Sequence, residues 1–360
     1  MSPAYDVLAF EGATGGRYRL YAPAQTEVLR RRFADFCRRP TLPRTPLSVL
    51  ELDDVVLEDS PAGLCLYDAR GRRIPESCVT RYSDDGLAEL WRARETVDSR
   101  PIDERIETPV LYSGTMFRHW GHFLLESMSR AWAASLDPRL ANLPSVFSWS
   151  IGAGAPGRSY RDFIEAAGFN PAFADGEPRK LALKRCFVPI ASFATSGYAD
   201  PLHLTAPHRA AWRLLREPAR DARPIYFSRA NLKPHADARP TVRNEEELER
   251  ALAARGARVV RMESLTLPEQ IEVMNAHSVF IGSWGSALHN TLFSLCGAEV
   301  STFVLIGRFL PTNFMLVDAI VGNAAHYLVT LSRADDFEES RQVLVDVEAT
   351  LSYLEANGLF

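Results

Sequence analysis

Three short clusters in this 360-residue sequence combine residue types that can hold an anion or move a proton. The first is Ile281-Gly282-Ser283-Trp284-Gly285-Ser286-Ala287-Leu288-His289-Asn290. An apolar run ends at Gly282, a tight turn follows, and a helix is predicted to start near Ser286. Its first N–H groups and the positive end of its dipole would then face the turn, which is the chemistry of an anion site. Taken alone, the same Gly-x-x-Gly only permits a sharp strand-to-helix turn, with Asn290 capping or packing. In the second cluster Ser228-Arg229 closes the predicted strand PIYFSR, and Lys233, Arg243, Asn244 and Glu245 follow in a loop and at the next helix start. Ser and Arg at one strand end, with a second Arg at the following helix N-terminus, suit a diphosphate held by charge and forked hydrogen bonds. Arg229 by itself reads equally as a surface arginine. The third cluster runs from Arg118, His119 and Trp120 through His122 and Glu126 to Arg130. His122 and Glu126 are four residues apart, so on a helix they share a face, with Arg118 or His119 one turn earlier. Such a pair can act as a general base or position a sugar hydroxyl. It can equally be two structural side chains bonded along a helix.

All three clusters fall at or near strand-to-helix junctions, the places where open α/β sheets bind ligands. From residue 107 the chain alternates strand and helix: TPVLYSG, then the helix HWGHFLLESMSRAWAASL, PSVFSWS, RSYRDFIEAAGF and LKRCFVPI. This rhythm predicts βαβ units on a parallel sheet. After a connecting helix at 207–217, Pro218, the charged ARDAR and Pro224 mark a hinge. Beyond it the doubly wound pattern is clearest: strands in PIYFSR, ARVVRM, HSVFIGS, EVSTFVLIG and AHYLVTL alternate with helices in VRNEEELERALAARG, LPEQIEVMNA, SALHNTLFSLCG and PTNFMLVDAIVG. Gly256 and Gly297 stand where helix C-caps belong. A short amphipathic helix is predicted over 25–38, strands and hairpins in SVLELDDVVLED and AGLCLYDARGRRI, which make the first hundred residues a β-rich preamble, and a last amphipathic helix over 335–356 carrying Phe337, Val343, Val345, Val347, Leu351 and Leu354. The expected division is a β-rich segment 1–105 joined to the first lobe, a first Rossmann-like lobe 106–217, a second 218–334, and a helix 335–360 packing across both.

Composition sets the outer limits. With 46% hydrophobic and 24% charged residues and a net charge of −4, the chain reads as globular, with no overall basic field for nucleic acid or anionic membranes. Lysine occurs only at Lys180, Lys184 and Lys233. The five cysteines, Cys37, Cys65, Cys78, Cys186 and Cys296, lack zinc-site spacing and fit buried thiols in a reducing compartment. MSPAYDVLAFEGATGG has neither a basic n-region nor an apolar h-region, and no stretch reaches the roughly 18 to 20 apolar residues of a membrane span. A cytoplasmic protein follows as the expectation, with peripheral contact at the inner face of the membrane left open.

In this order and at these distances, the clusters resemble the family 61 glycosyltransferases, the DUF563 group that includes bacterial capsule and exopolysaccharide enzymes. The resemblance covers roughly residues 107–305 and rests on His122 to Glu126, Ser228-Arg229, Arg243-Asn244-Glu245, Glu269-Gln270 and Gly282 to Asn290. It implies a GT-B-like α/β fold, two Rossmann-like lobes facing a cleft, and an inverting transfer from a nucleotide sugar, expected to be a UDP-sugar, to a saccharide or lipid-linked saccharide. On that basis His122 and Glu126 become catalytic candidates. Ser228, Arg229, Lys233, Arg243, Glu245, Gly282, Ser283, Trp284, Gly285, Ser286 and Asn290 become donor contacts, and Arg118, His119 and Trp120 acceptor contacts. No D-x-D occurs in the chain, so no metal or other cofactor is expected and the leaving-group charge falls to Arg229, Arg243, Lys233 and the helix start after Gly285. Two positions depart from the family pattern: Trp284 replaces a histidine, and Ser301 or Thr302 stands for an acidic residue after the next strand. They leave open a changed donor, on which an indole could stack, or a silent protein that binds a glycan or nucleotide without turnover. A nucleotide-sugar epimerase or dehydrogenase is disfavoured because no strand leads into G-x-G-x-x-G.

Overall fold

The runs IYF, RVV, VFIGS, STFVLI and AAHYLV form five mutually parallel strands, Ile225–Phe227, Arg258–Val260, Val279–Ser283, Ser301–Ile306 and Ala324–Val329. Near-continuous apolar stretches suit a parallel sheet covered on both faces, since neither side of such a strand can be left in water. In space the order is Arg258–Val260, Ile225–Phe227, Val279–Ser283, Ser301–Ile306, Ala324–Val329, or 2-1-3-4-5 by position in the chain. The winding direction therefore reverses between Ile225–Phe227 and Val279–Ser283, and their carboxyl ends open the crevice where doubly wound sheets hold ligands. The computed structural model describes residues 5–13, 15–39, 41–43, 46–58, 64–83, 87–91, 93–149, 158–171, 179–216, 220–231, 241–295, 299–336 and 342–360. Pro218, Lys233, Cys296, Gly297 and Phe337 lie outside the described residues.

Two more strands complete this sheet, and they come from the opposite end of the chain. Arg17–Pro23 pairs in parallel with Ala324–Val329, and Tyr5–Glu11 pairs antiparallel with Arg17–Pro23 at the edge. The following helix, Glu27–Arg38, buries Leu29, Phe33, Phe36 and Cys37, and the Phe33 ring meets those of Tyr18 and Tyr327 at 6.2 and 5.5 Å. Met1–Pro40 and Arg216–Phe360 consequently form one compact unit, and Thr41–Leu215 the other. This corrects the assignment of residues 1–105 to the first lobe for residues 1–40, while 41–105 do belong with it: Tyr18, Leu20 and Ala22 alternate inward and find their apolar partner some 300 residues away, at a distance no local pattern announces.

The described residues of the 335–356 stretch also differ from the single helix that the sequence predicts. Val343 and Val345 face inward with a period of two, and Gln342–Val345 is a strand paired with Leu331–Arg333 and Thr241–Val242. The helix proper, Val347–Ala356, is capped by Asp346, which accepts from the Ala349 N–H at 2.9 Å. Its Leu351, Tyr353 and Leu354 pack into the core of its own unit, with Tyr226, Leu248, Leu252 and Phe303. Gly256 takes the left-handed conformation after the helix Glu245–Ala253, φ +93°, as a C-terminal glycine should.

Thr41–Leu215 is built on a second, mixed sheet. Asn170–Pro171, Pro144–Trp149, Val110–Met116 and Lys180–Pro189 run parallel in that order, followed by antiparallel Val49–Glu58 and Cys65–Tyr67. Val55, Leu57, Val110, Tyr112, Val146, Leu181 and Leu183 fill its core. The α/β class stands, with mixed sheets. The helix expected over HWGHFLLESMSRAWAASL breaks into Trp120–Leu125, a 3-10 turn Ser127–Arg130, and Trp132–Leu136. Two polar side chains accompany the break: Ser127 Oγ accepts from the Phe117 N–H at 2.9 Å, and Ser129 Oγ donates to the Glu126 carbonyl at 2.7 Å. Cys37, Cys65, Cys78 and Cys186 are buried free thiols. Among the described residues, no helix is long and apolar enough to cross a membrane.

One buried carboxyl makes the sheet unit sensitive to pH. Asp318 is enclosed by Asn323, Tyr327 and Thr302, all donating to it, yet burial outweighs these bonds and pushes its pKa up to about 6. A raised carboxyl pKa favours the protonated folded state. Its contribution is complete below the unfolded value near 3.8 and is lost as pH rises through 6. Chemical denaturation at several pH values should show the stability of wild type relative to Asp318→Asn falling by about 2.4 kcal/mol between pH 4 and 7, given about 1.4 kcal/mol per pKa unit. A pH-independent difference would refute the assignment.

Candidate functional site

The reversal point of the sheet is where the second cluster assembles. Ser228, just past the strand Ile225–Phe227, is buried; its N–H donates to the Val260 carbonyl at 3.0 Å and its Oγ donates to Glu249. Ser228 is thereby a structural pin between neighbouring strand and helix. Arg229 follows, half-buried. Its backbone N–H donates to Glu245 Oε1 at 2.8 Å, and its Nη1 donates to the Trp284 carbonyl at 3.1 Å. The side chain crosses Gly285, where an added Cβ would lie 3.6 Å from Arg229 Cδ. One arginine thus spans both strand ends of the crevice. Among the described residues no carboxylate forms an ion pair with it. Burial pulls its pKa down, with Glu245 and Tyr226 opposing, but a guanidinium keeps its proton. A partly desolvated cation of this kind gains from an anionic ligand.

Glu245 opens the helix Glu245–Ala253 and is only 2% exposed. Its Oε1 accepts from the Tyr226 hydroxyl at 2.9 Å as well as from Arg229, and burial raises its pKa. Arg243 is exposed, ion-paired with Asp336 and bonded through Nε to Gln342 Oε1 at 2.7 Å. Much of its charge is already committed to the small sheet beside it. Arg229, Arg243 and Glu245 nevertheless line one cavity of about 200 Å³.

The turn after Val279–Ser283 differs in part from its sequence reading. The expected long helix is one turn, Ser286–His289, passing into the 3-10 turn Asn290–Phe293, so the macrodipole expected behind Ser286 is small. Gly282 lies within the strand, and Gly285 is extended, φ −171°. Ser283 Oγ is buried without a hydrogen-bond partner among the described residues. Trp284 meets Phe309 edge-on, with ring centroids 4.9 Å apart, and walls a cavity of about 330 Å³ with Pro311, Thr312 and Phe314. Asn290 is fully buried and donates to Gln270 Oε1 at 2.8 Å, while Gln270 Nε2 reaches the Met262 and Leu265 carbonyls. It braces the unit and does not reach the crevice. Glu269 caps its own helix through Thr266. Ser301 and Thr302 also fail as stand-ins for a ligand after the strand. They begin Ser301–Ile306 at its amino end, on the side of the sheet away from Arg229, and Thr302 bonds Asp318 in the core.

The third cluster lies in the other unit. His122 and Glu126 do share a face: His122 Nδ1 is hydrogen-bonded to Glu126 Oε2. Glu126 is 4% exposed and also receives a forked pair from Arg81, Nε to Oε1 at 2.8 Å and Nη2 to Oε2 at 3.1 Å. Burial would raise its pKa, but the bonds from His122 and Arg81 outweigh burial and hold it below the usual range. An ionised Glu126 fixes Nδ1–H as the donor and leaves Nε2 as the basic nitrogen of a side chain that is 35% exposed. Arg81 is itself held 4.3 Å above the Trp91 ring. Sequence reasoning missed Arg81. It sits in a three-residue strand, Thr80–Tyr82, 45 residues before Glu126, and nothing in its neighbourhood marks it. Arg118 and His119 are exposed beside this pair, the His119 ring meeting that of His122 at 5.1 Å. Trp120 stacks on Phe123 at 5.3 Å. Arg130 is buried and spends its guanidinium on the carbonyls of Pro189, Glu76 and Cys78, a structural role.

The doubly wound sheet brings to its reversal point a guanidinium with no ion pair among the described residues, and the α/β chain also carries a carboxylate-oriented histidine. The family model of glycosyltransferase 61 matches residues 120–301, half of the chain, and the chain belongs to that family. No curated protein matches it. The matched segment contains His122, Glu126, Ser228, Arg229, Arg243, Glu245 and the Gly282 to Asn290 turn.

Proposed function

We propose that the protein is an inverting, metal-independent glycosyltransferase with a GT-B division of labour. Arg216–Phe360 binds the nucleotide-sugar donor, expected to be a UDP-sugar, and Thr41–Leu215 binds a saccharide or lipid-linked saccharide acceptor through Arg118, His119 and Trp120. Synthesis of a surface glycan such as capsule or exopolysaccharide, from the cytoplasmic side, is the process such an enzyme serves. The observation that carries the reading is Arg229: a half-buried cation with no ion pair among the described residues, spanning the two strand ends at the reversal of the sheet.

The chemistry follows from the two sites. His122 Nε2 takes the proton from an acceptor hydroxyl while Glu126 stabilises the imidazolium through Nδ1. The oxygen attacks the anomeric carbon as its bond to the diphosphate breaks on the opposite side, which inverts the centre. The diphosphate leaves with the bonding electrons, and its charge is assigned to Arg229, a contact of the type worth about 10²-fold or more in rate.

A thermal-shift panel of UDP-, GDP-, CMP- and dTDP-sugars tests the donor assignment. One of them, at about 100 times its Kd, should stabilise the fold by roughly 2.7 kcal/mol; no shift with any would overturn the assignment. Transfer is expected to survive EDTA, because leaving-group stabilisation is assigned to arginine and not to a carboxylate-bound metal. Complete loss in EDTA, restored by Mn²⁺, would refute the metal-free mechanism.

A further inference from the structure

Five side chains of the Thr41–Leu215 unit close a ring of contacts that includes the imidazole of His122. Arg81 forks onto Glu126, Glu126 holds His122 Nδ1, the His122 ring meets Phe117 at 5.7 Å, Phe117 meets Trp91 at 5.2 Å, and the Arg81 guanidinium lies 4.3 Å from the Trp91 ring centre. Arg81 and Trp91 enter this ring from one hairpin, Thr80–Tyr82 paired with Ala88–Leu90, which the Trp91 N–H extends by donating to the Val79 carbonyl at 2.8 Å. The hairpin is itself tied down, because the Tyr82 N–H donates to the Thr195 carbonyl at 2.9 Å. Both residues precede the segment that matches the family, 120–301, so that match gives them no role.

The fork fixes geometry and charge together. By holding both oxygens it sets the plane of the carboxylate, and that plane keeps Oε2 on His122 Nδ1. Burial favours a neutral His–Glu pair, which holds one more proton and has Nε2 covered. The permanent cation of Arg81 opposes that uptake. Other titratable groups near the pair are His119, whose ring meets that of His122 at 5.1 Å, and Arg118, exposed beside it. Arg130, in the 3-10 turn that follows, turns its guanidinium to the carbonyls of Pro189, Glu76 and Cys78. We propose that Arg81, braced by Trp91, is a positioning residue for the transfer: its fork keeps the His122–Glu126 pair one proton short, so that His122 Nε2 is free to accept the proton of the attacking hydroxyl. The inference rests on the reading of His122 as the base, and it adds the device that sets the pH range in which that base is ready.

NMR of the full chain labelled with ring-¹⁵N histidine reads this proton directly, without a substrate. Of the eight histidines, His122 is the one whose signals vanish in His122→Gln. Arg81→Met keeps a stem over Trp91 and removes the charge, so the pair should bind its next proton about tenfold or more tightly and Nε2 should be covered at higher pH than in wild type. Arg81→Lys, with charge but no fork, should recover most of the difference. Trp91→Leu leaves every charge in place and loosens the guanidinium, so it reports where Arg81→Met fails to fold: its titration should move the same way by less. Hydrolysis of the nucleotide sugar that most stabilises the protein, among the UDP-, GDP-, CMP- and dTDP-sugars, gives the second readout. For Arg81→Met, kcat should fall about tenfold or more near neutrality with KM unchanged, and the loss should shrink as pH rises and the pair releases its extra proton. An Arg81 that only braces the fold would lower the melting temperature and leave the His122 titration where it was. His122 signals that titrate alike in wild type and every folded variant overturn the inference, as does a moved titration with kcat unchanged at every pH. If the titration moves as expected and no nucleotide sugar is bound or hydrolysed, the proton-setting role of Arg81 stands and the transferase reading falls.

Discussion

Arg229→Ala should weaken donor binding by about 10²-fold or more in calorimetry, while leaving the fold intact. The magnitude follows from what the side chain does. It is partly desolvated, carries no ion pair among the described residues, and spans the strand end after Phe227 and the Trp284 carbonyl, so its charge is uncommitted until an anion arrives. Charge-assisted, forked contacts of this type are the strong class of hydrogen bond. The backbone bond from Arg229 N–H to Glu245 does not depend on the side chain, so truncation removes the contact without opening the turn. Arg229→Lys should recover part of the affinity through charge but not the fork. Arg243→Ala supplies the contrast: that guanidinium is already paired with Asp336 and Gln342, and its loss should affect the donor far less. Equal affinity of wild type and Arg229→Ala for the donor would remove the crevice from the mechanism.

For His122 and Glu126 the expected loss is in turnover. Glu126→Gln and His122→Ala should each lower kcat by about 10²-fold or more, the usual scale for general-base help, with nucleotide affinity nearly unchanged because the donor contacts belong to the other unit. Glu126 also anchors Arg81, and removing one member of a buried ion pair costs about 3–5 kcal/mol. Glutamine is the informative replacement because it keeps the size of the side chain and one acceptor for the Arg81 fork, and melting curves must accompany the kinetics. If the pair only braces the short helix, both variants will melt earlier and retain most of their specific activity when folded. A stable, fully active Glu126→Gln together with a stable, fully active His122→Ala would leave the base to be sought elsewhere.

The parts legible in the sequence are those encoded by near neighbours. The strands between Ile225 and Val329 could be read because each is a short apolar run followed by a helix-period segment, and parallel sheets impose that rhythm. The His122 to Glu126 contact followed from four-residue spacing alone. Other features depend on residues distant in the chain. Arg81 completes the carboxylate site from a hairpin whose local composition has no distinguishing mark. Asn290 fits a ligand motif yet is closed over by Gln270, a burial that no single sequence discloses. Ser301 and Thr302 were legible as a strand but not by end: which terminus faces the crevice depends on strand direction, and the parallel register puts them at the far side. The parallel pairing of Arg17–Pro23 with Ala324–Val329 could not be read at all.

That last pairing bears on how the chain is made. Arg17–Pro23 is translated early, but its parallel neighbour, Ala324–Val329, leaves the ribosome about 300 residues later. At 5–20 residues per second this is a gap of roughly 15–60 s. Throughout it the Thr41–Leu215 unit emerges with the strands of its own sheet and can fold, whereas Tyr18, Leu20 and Ala22 have only the hairpin with Tyr5–Glu11 and the helix Glu27–Arg38 to pack against. Vectorial synthesis thus completes the inserted unit before the unit into which it is inserted, and leaves Arg17–Pro23 without its parallel neighbour until Ala324–Val329 arrives.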